Sequence, residues 1–183
     1  IGTNALVANG DDLGHITWYG ADGSDFNQAA AITVQVDGTP SNGTDMPGRI
    51  LFKTTPDGSG TPVERMRIDS NGFITTPSQP SFRATKSGGP YSHSTGEVIW
   101  DQNQHNTGSN YNTSNGRFTA PVAGVYLFHA YSIYTGNSSN DTWDFQKNGT
   151  NFSGSRLHFT NSPGGAWDNV TNTCIVSLAA NDY

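Results

Sequence analysis

The sequence predicts an all-β protein, in which a short N-terminal β-meander is followed by an antiparallel sandwich. The 183 residues include 22 Gly and 9 Pro, which favour turns. Between these turn residues, short runs alternate apolar and polar side chains, as half-buried strands do. No window sustains apolar residues at the three-and-four spacing of an amphipathic helix, so we expect little helix.

The first five strands are predicted before residue 77, in the runs HITWY, AAITVQV, GRILFKT, VERMRI and GFITT. Glycines in the intervening turns TPDGSGTP and DSNG can take the positive φ that closes a hairpin. Ile50 and Phe52 share one face of GRILFKT, and strict alternation in VERMRI groups Val63 with Arg65 and Arg67. These residues hold too few large apolar side chains for a core of their own, so association of several copies is expected to supply the missing burial.

A boundary is predicted at TTPSQPSF, residues 75–82, where two prolines stand among small polar residues. We therefore divide the chain into a β-rich N-terminal segment, residues 1–76, and a second domain, residues 77–183.

The second domain begins with GEVIWDQ, predicted as a strand, and NQHNTGSNYNTSNG, predicted as a polar loop. A long strand is predicted in RFTAPVAGVYLFHAYSIY, and another in WDNVTNTCIVSLAANDY. Between them, Asn148 and Gly149 separate two alternating runs and predict a hairpin. Many short strands without an intervening helix favour a sandwich or jelly roll.

The long strand is unusual because both of its faces are apolar. Val125, Leu127 and the following odd positions face one way, and the even positions face the other. A sandwich strand of a monomer buries only one set, so we expect one face to fill the core and the other to pack on a neighbouring subunit. The predicted oligomer interface contains Tyr126, Phe128, His129 and Tyr131.

Charge and composition exclude several classes of function. The chain carries 9 Lys and Arg against 15 Asp and Glu, a net charge of −6, which disfavours nucleic acid as a partner. No run is long and apolar enough for membrane insertion, and the opening residues lack the order of a signal peptide. Cys174 stands alone, so we interpret it as a small buried apolar residue.

An enzyme that cleaves polysaccharide would need paired carboxylates. Nearly all of the candidates stand beside Gly, Asn or Ser in predicted turns, where Asp bonds to its own backbone. They are Asp11, Asp12, Asp22, Asp25, Asp141 and Asp144. The five His show no metal-ligand spacing, and no nucleophile elbow or phosphate loop occurs. We expect no enzyme activity, no catalytic residue, no metal site and no cofactor.

Two parts of the chain resemble known families. The segment GRILFKTTPDGSGTPVERMRIDSNGFI, above all its core at Glu64–Gly72, is similar to a repeat-like segment of bacteriophage tail fibres. The last hundred residues, with VIWD, SNYNTSNGRFTAPVAGVYLFH, KNGT and VSLAANDY, resemble the globular head of complement component one, q subcomponent. That resemblance implies a homotrimeric jelly roll. The family's domain continues past an equivalent of NDY with two more strands, which we expect this chain to lack.

Together these resemblances imply a structural and adhesive virion component, either a bacteriophage tail fibre or a receptor-binding appendage. Its expected partners are two further copies of itself, other virion structural proteins, and a glycan or protein of the host surface. One alternative is a bacterial cell-surface or secreted adhesin with the same head. A glycan-degrading spike is a third class.

Host contact is predicted for two loops, TGNSSND at Thr135–Asp141 and TNSPGGAWD at Thr160–Asp168. Because consecutive antiparallel strands alternate in direction, both loops are expected at one end of the sandwich, with the Asn148 hairpin at the other. Tryptophan rings can stack on sugar faces, and their N–H can donate. Alternatively, both tryptophans are core residues at strand ends. The predicted contact residues are Asn137, Ser138, Asn140, Trp143 and Trp167.

Overall fold

The computed structural model of the chain describes residues 5–88, 96–134, 141–159 and 168–183. Within these ranges, the chain forms 15 β-strands in antiparallel pairs and a three-residue 3-10 turn at Ser153–Ser155. The predicted all-β class is confirmed. No helix of the described residues is long and apolar enough to cross a membrane. The chain divides into two compact units, unit 1 at Ile1–Gln79 and unit 2 at Pro80–Tyr183.

Unit 1 is one five-stranded sheet in which each strand pairs with the next along the chain. This order is the meander that the alternating runs predict. The strands are β1 (Asp12–Ala21), β2 (Phe26–Val36), β3 (Gly48–Thr54), β4 (Val63–Ile68) and β5 (Ile74–Thr75).

Side-chain carboxylates and glycines close the turns of this meander. Asp22 Oδ1 accepts the backbone N–H groups of Ser24 and Asp25, each at 2.8 Å. The bond from Asp25 is the main reason that the pKa of Asp22 lies below its usual range. In the β4–β5 turn, Gly72 takes a φ of +83° and donates its N–H to Asp69 O at 3.0 Å. A residue with a side chain would be strained at this φ.

A β-bulge decides which residues of β4 share a face. The register between β3 and β4 shifts between Phe52 and Lys53, and Arg65 is the extra residue. Val63 therefore faces the same side as Met66. The predicted grouping of Val63 with Arg67 is wrong, because Arg67 pairs with Leu51 on the other face and a bulge inserts a residue that strict alternation does not count.

Unit 2 is built from five strand pairs: β6 with β7, β8 with β9, β10 with β15, β11 with β14 and β12 with β13. The strands are β6 (Ser81–Thr85), β7 (Gln102–Thr107), β8 (Tyr111–Asn112), β9 (Arg117–Phe118), β10 (Gly124–Tyr134), β11 (Asp141–Trp143), β12 (Gln146–Lys147), β13 (Thr150–Asn151), β14 (Leu157–Phe159) and β15 (Asp168–Leu178).

The strand predicted in GEVIWDQ is wrong. The structure has no strand before Gln102 in this run, and β7 occupies residues that were predicted as a polar loop. Side chains hold the preceding residues instead: Trp100 packs against the core, and Asp101 accepts bonds from Lys86 Nζ at 2.6 Å and from Ser87 N at 2.7 Å. The bond from Lys86 is the largest reason that the pKa of Asp101 lies far below its usual range.

Aromatic rings form the core of unit 2. The Phe82 ring stacks on Tyr111, with 4.6 Å between centroids, and Phe118 lies 5.3 Å from Phe82. Tyr111 is 5% exposed, and its hydroxyl donates to Trp100 O at 3.0 Å, so its one buried polar group is satisfied. These rings lie against one face of β10 and β15 and leave the other face uncovered.

The predicted hairpin at Asn148 and Gly149 is confirmed. Asn148 has a φ of +52° and Gly149 a φ of +75°, and the two residues connect β12 to β13. The backbone N–H of Asn148 donates to Tyr183 O at 2.7 Å, which ties the hairpin to the residues after β15.

Candidate functional site

The candidate site is the sheet formed by β10 and β15. Both strands are 11 residues long, and they pair antiparallel without a register shift from Gly124, opposite Leu178, to Tyr134, opposite Asp168. Because neighbouring residues of a strand point to opposite sides, this ladder sorts every side chain onto an inner or an outer face.

The inner face belongs to the core of unit 2. Tyr126 and Phe128 pack against the core cluster, and the Phe128 ring meets Phe118 edge-on at 5.4 Å. The Tyr126 hydroxyl donates to Val122 O at 2.7 Å. From β15, the inner face receives four apolar residues, each at most 8% exposed: Val170, Cys174, Val176 and Leu178.

The outer face is apolar and uncovered. Val125 is 71% exposed, and Leu127 and Ile175 are each 68% exposed, as a directly opposed pair. Tyr131 and Ile133 continue the row. None of the ten outer positions carries a charged residue: Val125, Leu127, His129, Tyr131, Ile133, Asn169, Thr171, Thr173, Ile175 and Ser177. A contiguous exposed apolar face of this kind marks an interaction surface.

Hydrogen bonds across the ladder fix the two polar rings of the outer face. The Tyr131 hydroxyl donates to Asn169 Oδ1 at 2.8 Å, and His129 Nδ1 is hydrogen-bonded to Thr173 Oγ1 at 2.8 Å. Both rings are therefore tied to partners on β15. The outer face is preorganised, so a partner that packs on it loses little side-chain freedom.

The structure separates the four residues of the predicted interface. His129 and Tyr131 lie on the outer face, whereas Tyr126 and Phe128 lie on the inner face of the same subunit. Ile175, the outer-face residue contributed by β15, was missed. Its alternation with buried Cys174 and Val176 was the available signal.

A cavity of about 500 Å³ lies on the inner side of the sheet. Phe128, Trp143 and Cys174 contribute to its lining. Buried Asn172 donates through Nδ2 to Trp143 O at 3.0 Å and to Ser155 O at 2.7 Å, which joins β15 to β11 and to the 3-10 turn. Cys174 is the small buried residue that the sequence predicts, and burial raises the pKa of its thiol.

Trp143 is the one predicted receptor-contact residue that the structure describes. It is partly buried at the end of β11, and its ring lies 6.1 Å from the ring of Trp100. The other four, Asn137, Ser138, Asn140 and Trp167, lie outside the described residues. The strand ends that bound the two predicted loops are themselves paired: Tyr134 lies opposite Asp168, and Asp141 lies opposite Phe159.

Four of the carboxylates that were weighed as catalytic candidates accept hydrogen bonds from other residues, namely those of Asp11, Asp12, Asp22 and Asp144. Asp11 Oδ2 accepts a hydrogen bond from Ala8 N, and Asp12 Oδ1 accepts one from Gln35 Nε2. Asp144 accepts a hydrogen bond from Arg156 Nε at 3.2 Å. Across the described parts of the chain, no three His, Cys, Asp or Glu side chains are grouped so that they could hold a metal ion.

Comparison with solved structures finds a match to the carboxy-terminal domain of the bacteriophage T5 L-shaped tail fibre with its intramolecular chaperone domain. The TM-score is 0.38 and the identity is 13%, over 97% of this chain and 48% of that one. The chain therefore spans about half the length of that structure. No curated protein matches the chain.

The sequence pattern of the C1q domain matches residues 81–183, which is more than half of the chain. The match covers both strands of the candidate site and every residue of the aromatic core. It confirms the predicted resemblance to the complement head and the predicted jelly roll. The chain belongs to the C1q domain family.

Proposed function

We propose that the chain is a structural and adhesive component of a virion, a bacteriophage tail fibre or receptor-binding appendage that acts as a homotrimer. The observation that supports this most is the uncharged apolar outer face of β10 and β15 in a C1q unit. The similarity of Glu64–Gly72 to tail-fibre segments supports the part of the proposal that assigns the chain to a virion.

A neighbouring subunit is the partner that the outer face suits. Complete removal of one Val, Leu or Ile side chain from water stabilises by roughly 1.5 to 3 kcal/mol. Four such side chains on one subunit are more than half exposed: Val125, Leu127, Ile133 and Ile175. A surface without charges gains nothing from contact with ions or polyanions, whereas the same face of another copy offers matching apolar groups.

Host contact is proposed at the end of the sandwich where β10 and β14 end and where β11 and β15 begin. The two connections predicted to contact the host start and finish at these four strand ends. Their sequences combine Asn, Ser, Thr and Gly, which hydrogen-bond adaptably, with Trp167. The Asn148 hairpin belongs to the opposite end, beside Leu178 and Tyr183.

Adsorption of the virus to its host tests this proposal. The purified chain should compete with the virion for host cells, and deletion of Ser138 and Ser139 or the change Trp167→Ala should weaken that competition. Thr150→Ala, an exposed change at the opposite end, serves as the control and should compete as the wild type does. If the deletion and Trp167→Ala both compete normally, host contact is made elsewhere.

The alternative of a bacterial adhesin is distinguished by the particle that carries the chain. Electron microscopy with an antibody against the chain should label the distal appendage of a virion. Labelling of the bacterial surface in cells without virus would support the adhesin instead.

A further inference from the structure

The sheet of unit 1 has an apolar face that nothing in this unit covers. Strand register places Ile16, Trp18, Val34, Ile50, Val63 and Ile74 on one side, here called the unit 1 apolar face. Their exposed fractions run from 37% for Val34 and Ile50 to 64% for Ile74. All five strands contribute to this face.

The opposite face of the same sheet carries three of its four buried strand residues, and the fourth, Val36, lies at the end of β2. Ala31, Thr33 and Leu51 are only 3 to 4% exposed there, and they share that side with charged residues such as Arg67. Arg67 is paired with Glu64 through two bonds of 3.0 and 2.8 Å, and the carbon stems of such side chains cover apolar neighbours. A one-sided sheet normally buries its apolar face. Unit 1 does the reverse, so its apolar face needs a cover from outside the unit.

The side chains of the unit 1 apolar face indicate what kind of partner could cover it. Its six side chains include five aliphatic ones and the indole of Trp18. A charged side chain, that of Arg65, lies at the edge of the face beside Val63, where its Nε donates a hydrogen bond to Thr54 Oγ1 at 2.9 Å. A glycan or an anionic ligand would find almost no hydrogen-bond partners on this face, whereas an apolar protein surface would be complementary to it.

The area of the face fits association between copies. The six side chains expose roughly 500 Å² together, which approaches the roughly 800 Å² that each partner contributes to a standard interface. In the proposed homotrimer, the five residues between Thr75 and Ser81 tether the copies of unit 1 to one assembly. Short tethers give effective concentrations in the millimolar range. A second and a third copy of the same face are therefore the most available apolar partners.

We propose that the unit 1 apolar face packs against the same face of the other copies, so that the fibre has a second self-association surface separate from the outer face of β10 and β15. The proposal rests on the proposed homotrimer and extends it: the sheet of unit 1 forms its hydrophobic core between chains.

Hydroxyl-radical footprinting of the full chain tests this proposal through two adjacent aromatic residues. Trp18 lies on the unit 1 apolar face and Tyr19 follows it on the strand, and within one chain they are 48% and 62% exposed. At concentrations where the chain sediments as an oligomer, we expect Trp18 to be labelled several-fold more slowly than Tyr19. Labelling of Trp18 at least as fast as Tyr19 in that oligomer would overturn the proposal. So would protection of Trp18 in a chain that sediments as a monomer.

A matched pair of variants separates this surface from the proposed interface of unit 2. Ile16→Asp places a charge on the unit 1 apolar face, and His15→Asp places one at the neighbouring exposed position on the other side. Ile16→Asp should make Trp18 as accessible as Tyr19, and His15→Asp should leave it protected; persistent protection in Ile16→Asp contradicts the proposal. Leu127→Asp tests the proposed unit 2 interface separately. It should weaken the oligomer even if Ile16→Asp has no effect on the labelling of Trp18.

Discussion

At the residue scale, Asp182 shows how one carboxylate organises the segment after β15. It accepts bonds from Asn148 Nδ2 and from Ala179 N, each at 2.8 Å, and its Oδ2 lies 3.0 Å from Lys147 Nζ. In that order of importance, these contacts lower the pKa of Asp182 to about 2. The ionised form therefore ties the β12–β13 hairpin to the end of β15.

The lowered pKa predicts how stability depends on pH. Because the pKa in the folded chain lies below the ordinary value of 3.8, the contribution of Asp182 is complete above about pH 4 and is lost as pH falls through 2. Asp182→Asn should lower the thermal unfolding midpoint at pH 7, and its difference from the wild type should disappear near pH 2. Asp57→Asn, a change in an exposed turn, is the control and should have little effect at either pH. A difference that stays constant down to pH 2 would contradict this assignment.

Phe118 is the residue whose loss should be most costly in unit 2. It is 8% exposed, and its ring lies within 5.5 Å of the rings of Phe82, Tyr126 and Phe128. Phe118→Ala should destabilise the fold by about 3 to 5 kcal/mol, since it removes a buried aromatic ring and leaves a cavity. Urea unfolding measures this change. Val122→Ala, at a 59% exposed loop position, should stay close to the wild type.

At the element scale, β12 and β13 depend on the backbone conformation of their turn. Gly149 takes a φ of +75°, and a Cβ added there would meet Tyr183 Oη at an ordinary distance of 3.7 Å. The obstacle to a side chain is therefore the backbone conformation alone. Gly149→Ala should cost about 1 kcal/mol in urea unfolding, because L-residues are strained at positive φ. Gly60→Ala, in open space and without a positive φ, should cost less.

The elements that the sequence predicted are those determined by local chemistry. The meander, the Asn148 hairpin and the alternation along β10 follow from turn residues and period-two patterning. Two elements depended on contacts that no local pattern shows. The bulge at Arg65 exists only relative to β3, and β7 forms from the polar run after Gln102 because β6 supplies its pairing partner.

The candidate site was predictable to a similar extent. Doubly apolar β10 indicated that one of its faces meets another subunit, but alternation alone does not say which. The structure shows which face the core occupies, because Phe82 and Phe118 lie on the side to which Phe128 points. The outer face, with Leu127 and Ile175, is the one left for the proposed partner.

At the scale of the whole molecule, each unit leaves one apolar face without a cover. Unit 1 and unit 2 each have a β-sheet with an exposed apolar face, in a chain with only 13% charged residues. Homotrimeric association would cover the outer face of β10 and β15 in unit 2 and the unit 1 apolar face. In the proposed trimer, much of the hydrophobic core would therefore lie between the chains. Since that core forms only on association, we expect folding and assembly to be coupled.

Sedimentation equilibrium of the wild-type chain at micromolar concentration tests the proposed assembly most directly. The proposed homotrimer predicts a single species of three times the 19.5-kDa chain mass, which loses its β-structure when dilution separates the subunits. Leu127→Asp together with Ile175→Asp should shift the mass towards one chain, whereas Thr150→Ala should not. A stable, folded wild-type monomer at micromolar concentration would contradict the account.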